Sequence, residues 1–299
     1  MKQRKILLSL ITDKNDYQRE QATAARHEAD RLGVSLEIIY ADSDPLRQSS
    51  QLLDVIFGKG VEKPDVILCA PAGTSMAQVA QAAVSAGIGW GVLNRDADYL
   101  PSLRRNAKVP AFVVTTDQTE IGRIQGRQFG VLMPKGGNVL YLQLPSGSTA
   151  AQARTEGMMA AKPANVNIRT LRAQWTEDSA FNAVTSWLQL STSHEAKVGL
   201  IAGQNDGLAL GARRAFEAGT AGLEKDYWMS LPFLGCDACP ESGQQWVKKG
   251  WLAASVVLPV TAGVALELAV RAVEAGSQPV QQTVIKPKSF PALESLTAK

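Results

Sequence analysis

Cys236 and Cys239 stand three positions apart around Asp237 in LGCDACPES, the only Cys-x-x-Cys of the chain. That spacing suits a dithiol–disulfide pair or half of a zinc site. A four-ligand zinc cage needs two more donors. The sequence holds one further cysteine, Cys69, and two histidines, His27 and His194, whose polar neighbours place them at the surface. No metal or other cofactor is expected. The motifs of nucleotide and hydrolytic chemistry are missing: there is no G-x-G-x-x-G, no G-x-x-x-x-G-K-[ST] and no G-x-S-x-G.

A second set of residues is better suited to holding a ligand than to transforming one. Asn15 and Tyr17, then Asn94-Arg95-Asp96, Arg154, Gln174-Trp175, Gln204-Asn205-Asp206 and Asp237 recur through the chain. Amides, carboxylates and guanidinium forks give paired donors and acceptors for hydroxyl groups, and flat rings cover the apolar faces of a sugar or polyol. Each residue also has a structural explanation. Asn15, Asn205 and Asp237 suit helix caps or turns. Arg95 can pair with Asp96 or Asp98. Trp175 can act as a staple before a Thr176 cap, although Ala180, four residues beyond that cap, is a poor partner. PSGST can cradle an anion or simply be a loop of small residues.

The elements that must position these residues are legible as a rhythm. KILLSLI, SLEIIYA, PDVILCA and GWGVLN are short apolar runs separated by amphipathic stretches at Gln21–Leu32, Arg47–Gly58 and Ser75–Ala86. PAFVVTTD then restarts the pattern, followed by helical stretches at Gln118–Leu132, Ser148–Ala161, Asp178–Leu190, Asp206–Ala218, Gln244–Lys249 and Ala262–Ala275. Strand–helix alternation of this kind predicts α/β units with parallel sheets covered on both faces. Two successive series fit the chain length of 299 residues. The polar residues above follow the apolar runs, at the carboxyl ends of strands where open α/β sheets bind ligands. Two such units facing each other by those ends would form a small-molecule cleft.

Hydrophobic residues make up 45% and charged residues 20% of the chain, as in an ordinary soluble domain, and the net charge of +3 is scattered without a basic stripe. Nucleic acid is therefore not an expected partner. The apolar run after the basic N-terminus covers only Ile6–Ile11, short of the ~7–15 residues of a signal peptide core. No run approaches the ~20 residues of a membrane span. The expected compartment is conditional: periplasmic where a leader has been removed, cytoplasmic where Met1 is the native start.

In this order, VLNRDA, SGSTAAQARTEGM, AGQNDGLALGARRA, LGCDACPES and LAASVVLPVTAG resemble the type I periplasmic sugar-binding proteins. This is the ribose- and galactose-binding group whose fold is shared by lactose-repressor-type effector domains. The resemblance runs over nearly the whole chain and implies two doubly wound parallel-sheet lobes joined by a three-strand hinge. The first lobe would comprise 1–115 with 258–286, and the second 116–257 with 287–299. It further implies a monomeric, non-enzymatic solute-binding protein that captures a sugar, polyol or similar small polar ligand for an ABC-type importer. The alternative is a sensor that presents its closed form to a signalling kinase. Carried over by position, Asn15, Tyr17, Asn94 and Arg95 would be ligand contacts of the first lobe, and Arg154, Trp175, Asn205 and Asp237 those of the second. In that light the residue expected to act in LGCDACPES is Asp237, not the cysteines beside it.

The departures are informative. Asn94 stands where the group has Asp, Gln18 replaces a second aromatic, Val257 replaces a hydrogen-bonding Gln and Cys236 replaces Phe. They point away from ribose or glucose and towards another polyol, a modified sugar or a non-sugar ligand. A cleft enzyme would need a nucleophile–base pair or a metal set, and neither is visible. A transcription factor would need a helix-turn-helix before the first strand, and none is present there.

Overall fold

The computed structural model describes residues 3–60, 62–74, 76–105, 107–144 and 148–298, with His194 described by its backbone alone. The readings of Ser146 and Gly147 in PSGST and of the His194 side chain fall outside the described residues.

The chain begins with β1 (Lys5–Leu10), α1 (Asp16–Leu32), β2 (Ser35–Tyr40), α2 (Pro45–Phe57), β3 (Val66–Cys69), α3 (Ala77–Ser85), β4 (Gly89–Leu93), α4 (Leu100–Arg105) and β5 (Ala111–Thr116). It continues with α5 (Gln118–Leu132), β6 (Gly137–Gln143), α6 (Thr149–Ala161), β7 (Val166–Arg172), α7 (Glu177–Leu188), α8 (Ser191–Glu195), β8 (Val198–Gly203) and α9 (Asp206–Gly219). Then come α10 (Gly222–Ser230), β9 (Phe233–Leu234), α11 (Gly243–Lys248), β10 (Ser255–Val257), α12 (Ala262–Ala275), β11 (Gln282–Ile285) and β12 (Lys288–Phe290). The chain divides into two compact units, Met1–Thr116 with Val260–Ile285 and Asp117–Pro259 with Lys286–Lys299, so the backbone passes between them three times.

The first unit is built on one sheet of order β11-β5-β4-β3-β1-β2, parallel throughout. Its inner strands β1, β3, β4 and β5 are largely buried on both faces because both are covered by helices. Ile6, Leu8 and Leu10 point into a core with α1 and α12, while the intervening Leu7 joins Ile67 and Val92 in a core with α2 and α3. The strand period of two thus feeds two cores. Strand order reverses at β1, whose neighbours are β2 and β3, so the ends of β1 and β3 flank a topological switch point.

The second unit has a parallel sheet of order β7-β6-β8-β9. Two parallel bridges, Leu234 to Ala254 and Asp237 to Val257, extend it to β10, which pairs antiparallel with β12. Val139, Tyr141 and Leu200 pack with Phe129 of α5 and Met158 of α6 on one face; Leu140 and Ile201 pack with Val184 of α7 and Phe216 of α9 on the other. Helices α5 and α6 approach at glycines: a Cβ on Gly122 would lie 1.9 Å from the Arg154 carbonyl oxygen, and one on Gly157 1.9 Å from that of Thr119.

Two doubly wound parallel-sheet units are what the alternation of runs predicts. The differences are local. Helix α1 starts at Asp16 rather than Gln21, because Asn15 caps it and Tyr17 and Gln18 turn inward. The stretch after Ala275, where no element was expected, contributes β11 and β12, and the short helices α4, α8 and α10 were not expected either.

Candidate functional site

In the first unit the candidates gather at the carboxyl ends of β1, β3 and β4. Asn15 caps α1, its Oδ1 accepting the Gln18 N–H at 3.2 Å, so the capping alternative holds for this residue. Tyr17 is buried, and its hydroxyl meets Asn94 Oδ1 at 3.0 Å and Gln21 Nε2 at 2.7 Å. Asn94 sits just past β4 with φ of 64°, a left-handed conformation that Asn tolerates better than most residues. Its Oδ1 also accepts from the Thr261 hydroxyl at 2.7 Å and from Gln21 Nε2 at 3.4 Å. Gln21 is anchored in turn: its Oε1 accepts the backbone N–H groups of Thr261 at 3.1 Å and Ala262 at 2.7 Å.

Arg95 forms neither of its expected surface pairs. Its Nη1 donates to the Gly73 carbonyl at 2.7 Å, which ties the β4 loop to the β3 loop, while Asp96 accepts from Gln282 at 2.7 Å instead. Arg95 is half-buried, and burial lowers its guanidinium from the ordinary value. Gln18, where the family group has an aromatic, takes a backbone role: its buried Oε1 accepts the Ile11 N–H at 3.1 Å.

In the second unit Arg154 projects from α6 and is only 3% exposed. Its Nε donates to Gln118 Oε1 at 2.8 Å and its Nη1 to the Gln204 carbonyl. The guanidinium carbon lies 5.9 Å from the centre of the Trp175 ring, a cation–π distance. Trp175 remains 38% exposed, and its carbonyl accepts from Asn205 Nδ2 at 3.2 Å. Asn205 is 2% exposed and caps α9, its Oδ1 accepting the Leu208 N–H at 2.7 Å. Gln204 is buried as well, with Oε1 accepting the Leu144 N–H at 2.8 Å and Nε2 donating to Thr155 at 2.9 Å. Arg154, Trp175 and Asn205 are thus neighbours within one unit.

Asp237 does not cap a helix, since α11 begins only at Gly243. Its backbone pairs with β10 through the Val256 carbonyl at 2.9 Å and the Leu258 N–H at 3.1 Å, with φ of 113°. The turn is held from below by Asp206, which was noted beside Asn205 but given no role of its own. Its Oδ2 accepts the Ala238 N–H at 2.7 Å and its Oδ1 the Ser255 hydroxyl at 2.5 Å. A Cβ on Gly235 or Gly243 would collide with this carboxylate at 2.0 Å or 1.9 Å. Gly235 within LGCDACPES and Gly243 just after it were the available signal for a close approach. The roles of Gln21 and Thr261 had no local signal, because the pair lies far apart in the chain.

None of the three cysteines is in a disulfide, and all three are buried. Burial pushes the Cys69 thiol up to about 12 and raises that of Cys236 strongly, the opposite of what a reactive thiolate requires. Among the described residues no group of His, Cys, Asp and Glu is arranged to hold a metal ion, and no helix is long and apolar enough to cross a membrane.

The chain belongs to the periplasmic binding protein domain family, which it matches over residues 6–277. It is 26% identical over 252 residues to the ribose import binding protein RbsB of Escherichia coli (strain K12), covering 84% of this chain and 78% of that protein. It is 29% identical over 165 residues to the D-galactose/methyl-galactoside binding periplasmic protein MglB of Haemophilus influenzae, covering 49% of this chain and 45% of that one. A solute-binding protein from Actinobacillus succinogenes 130z with bound D-allose superposes with a TM-score of 0.82 at 20% identity, over 96% of this chain and 97% of that one. The Caulobacter myo-inositol binding protein superposes with a TM-score of 0.78 at 22% identity, over 95% and 92%. At these identities the structural likeness speaks to the fold.

Proposed function

We propose that this chain is a solute-binding protein for a small polyhydroxylated ligand, a sugar, polyol or close derivative, and that it captures the ligand in the periplasm for an ABC-type importer. Strand-end residues of both units supply the contacts: Asn15, Tyr17, Asn94 and Arg95 from the first, and Arg154, Trp175, Asn205 and Asp237 from the second. The observation that carries the reading is the orientation of these side chains by buried partners. Asn94 is held by Thr261 and Gln21, and Arg154 by Gln118 and Gln204, so both are preorganised before any ligand arrives.

The family relationship and the ligands of the relatives support a sugar-like solute. Binding is expected without turnover, since among the described residues the strand ends offer donors, acceptors and a ring but no nucleophile–base pair. An affinity of ~1 μM corresponds to about −8 kcal/mol, within reach of several charge-assisted hydrogen bonds and one stacked ring. Thermal-shift screening against pentoses, hexoses, inositols, alditols and sugar acids tests the reading. At least one member raises the midpoint and is recovered unchanged; no shift across the panel overturns it.

A further inference from the structure

The hydrogen-bond polarity of the first unit's strand ends narrows the ligand further. Gln21 Oε1 faces two backbone N–H groups, those of Thr261 and Ala262. Backbone N–H groups only donate, so the atom facing them is the carboxamide oxygen and the other end of Gln21 is its NH2. That NH2 lies 3.4 Å from the side-chain atom of Asn94 that also meets the Thr261 hydroxyl at 2.7 Å. Two NH2 groups would repel at that position, so the inward atom of Asn94 is Oδ1 and its Nδ2 is the end left for a ligand. Asn15 is committed in the same sense, because its Oδ1 is used by the Gln18 N–H.

Arg95, beside Asn94, adds a cation. It has no carboxylate partner among the described residues, its one hydrogen bond going to the neutral Gly73 carbonyl. The acids at the β1 and β4 strand ends do not pair with it: Asp96 accepts from Gln282, Asp16 pairs with Arg19, and Asp13 and Asp98 are exposed. Burial already lowers the guanidinium from its ordinary value, which is the expected behaviour of a charge short of counter-charge. The half-site therefore presents N–H donors and one uncompensated positive charge. A neutral sugar hydroxyl both donates and accepts, and its proton finds no side-chain acceptor in this set. A carboxylate only accepts, and its two oxygens match the fork of Arg95.

We propose that the ligand carries a single carboxylate, as an aldonate or uronate does, and presents it to the Asn94–Arg95 loop. One guanidinium and two carboxamides suit one negative charge better than the roughly −1.5 to −2 of a phosphate monoester. This rests on the solute-binding function proposed above and deepens it.

Isothermal titration of the wild-type chain with matched pairs tests it: D-ribose and D-ribonate, D-glucose with D-gluconate and D-glucuronate, and D-galactose with D-galactonate and D-galacturonate. At least one acid binds tenfold or more tightly than its parent sugar. Arg95→Gln, which retains a donor for the Gly73 carbonyl, weakens both ligands but the acid at least tenfold more than its parent sugar, so the acid preference falls. Asn94→Asp provides an independent variant: it keeps the acceptor for Thr261, places a negative charge at the ligand and lowers the ratio of acid to sugar affinity. Parent sugars binding as tightly as their acids, or an acid preference unmoved in both variants, overturns the proposal and leaves the solute-binding function standing. If no sugar, acid or polyol binds, both fall.

Discussion

The carboxylate of Asp206 accepts the backbone N–H of Ala238 at 2.7 Å, so the first residue of α9 holds the turn that carries Asp237. A buried carboxylate with a backbone donor on one oxygen and the Ser255 hydroxyl on the other is a positioning device. Asp206→Ala leaves both donors buried without their acceptor and costs about 2–4 kcal/mol. Asp206→Asn keeps an oxygen for Ala238 and turns an NH2 to Ser255, whose hydroxyl can rotate to accept it, so the loss falls to about 1 kcal/mol. Chemical denaturation of the two variants measures the difference; equal losses would contradict the assigned roles of the two oxygens.

Helix α6 carries Arg154 on a backbone that approaches α5 without side chains between them. A methyl group at Gly157 meets the Thr119 carbonyl oxygen at 1.9 Å, and backbone cannot yield as a flexible side chain can. Gly157→Ala is expected to destabilise the second unit by about 3 kcal/mol and, by displacing Arg154, to weaken ligand binding as well. Thermal denaturation and titration of the same variant check both; a stable variant with unchanged affinity would show that α6 shifts freely.

Asn205 separates capping from anchoring. Asn205→Asp keeps the acceptor for the Leu208 N–H but sets a buried carboxylate oxygen against the Trp175 carbonyl, so it costs about 1–3 kcal/mol while the Trp175 backbone loses its tether and affinity falls. Asn205→Ala loses cap and tether without burying a charge, at about 1 kcal/mol. Urea midpoints and ligand titrations of the pair distinguish the two contributions.

Alkaline pH destabilises the fold through buried acids held protonated. The Cys69 thiol is pushed from about 9 to about 12, and the Tyr99 and Tyr141 hydroxyls from about 10 to about 12, each chiefly by burial. The unfolded chain loses these protons first, so it binds fewer protons than the native chain above about pH 9. Stability owed to these groups is fully present below about pH 9 and is lost as the pH rises towards about 12. Urea midpoints at about pH 8, 9, 10 and 11 are expected to be level at first and then to fall; a level series throughout would place these groups in water.

Helices α5 and α12 have the limits that apolar periodicity marks, Gln118–Leu132 and Ala262–Ala275. Long periodic segments carry their own signal. Strand β11 did not, because its four residues are half-buried or exposed and gain their identity only by pairing with β5. In the site, the caps at Asn15 and Asn205 were legible as one of two readings, since a cap is a local event. The direction of the Asn94 carboxamide was not, because it depends on Thr261, 167 residues away. Arg154 was legible as a candidate, but its hydrogen bonds to Gln118 and Gln204 on other elements were not.

The proposed function has strand-end residues of both units hold one small polyhydroxylated ligand. Hydrogen exchange followed by mass spectrometry, with and without the best ligand from the thermal-shift panel, tests it directly. Slowed exchange is expected in segments 12–18 and 94–96 of the first unit and 204–208 and 236–238 of the second, all at strand ends. Slowing confined to one unit, or lying wholly away from these segments, would contradict it.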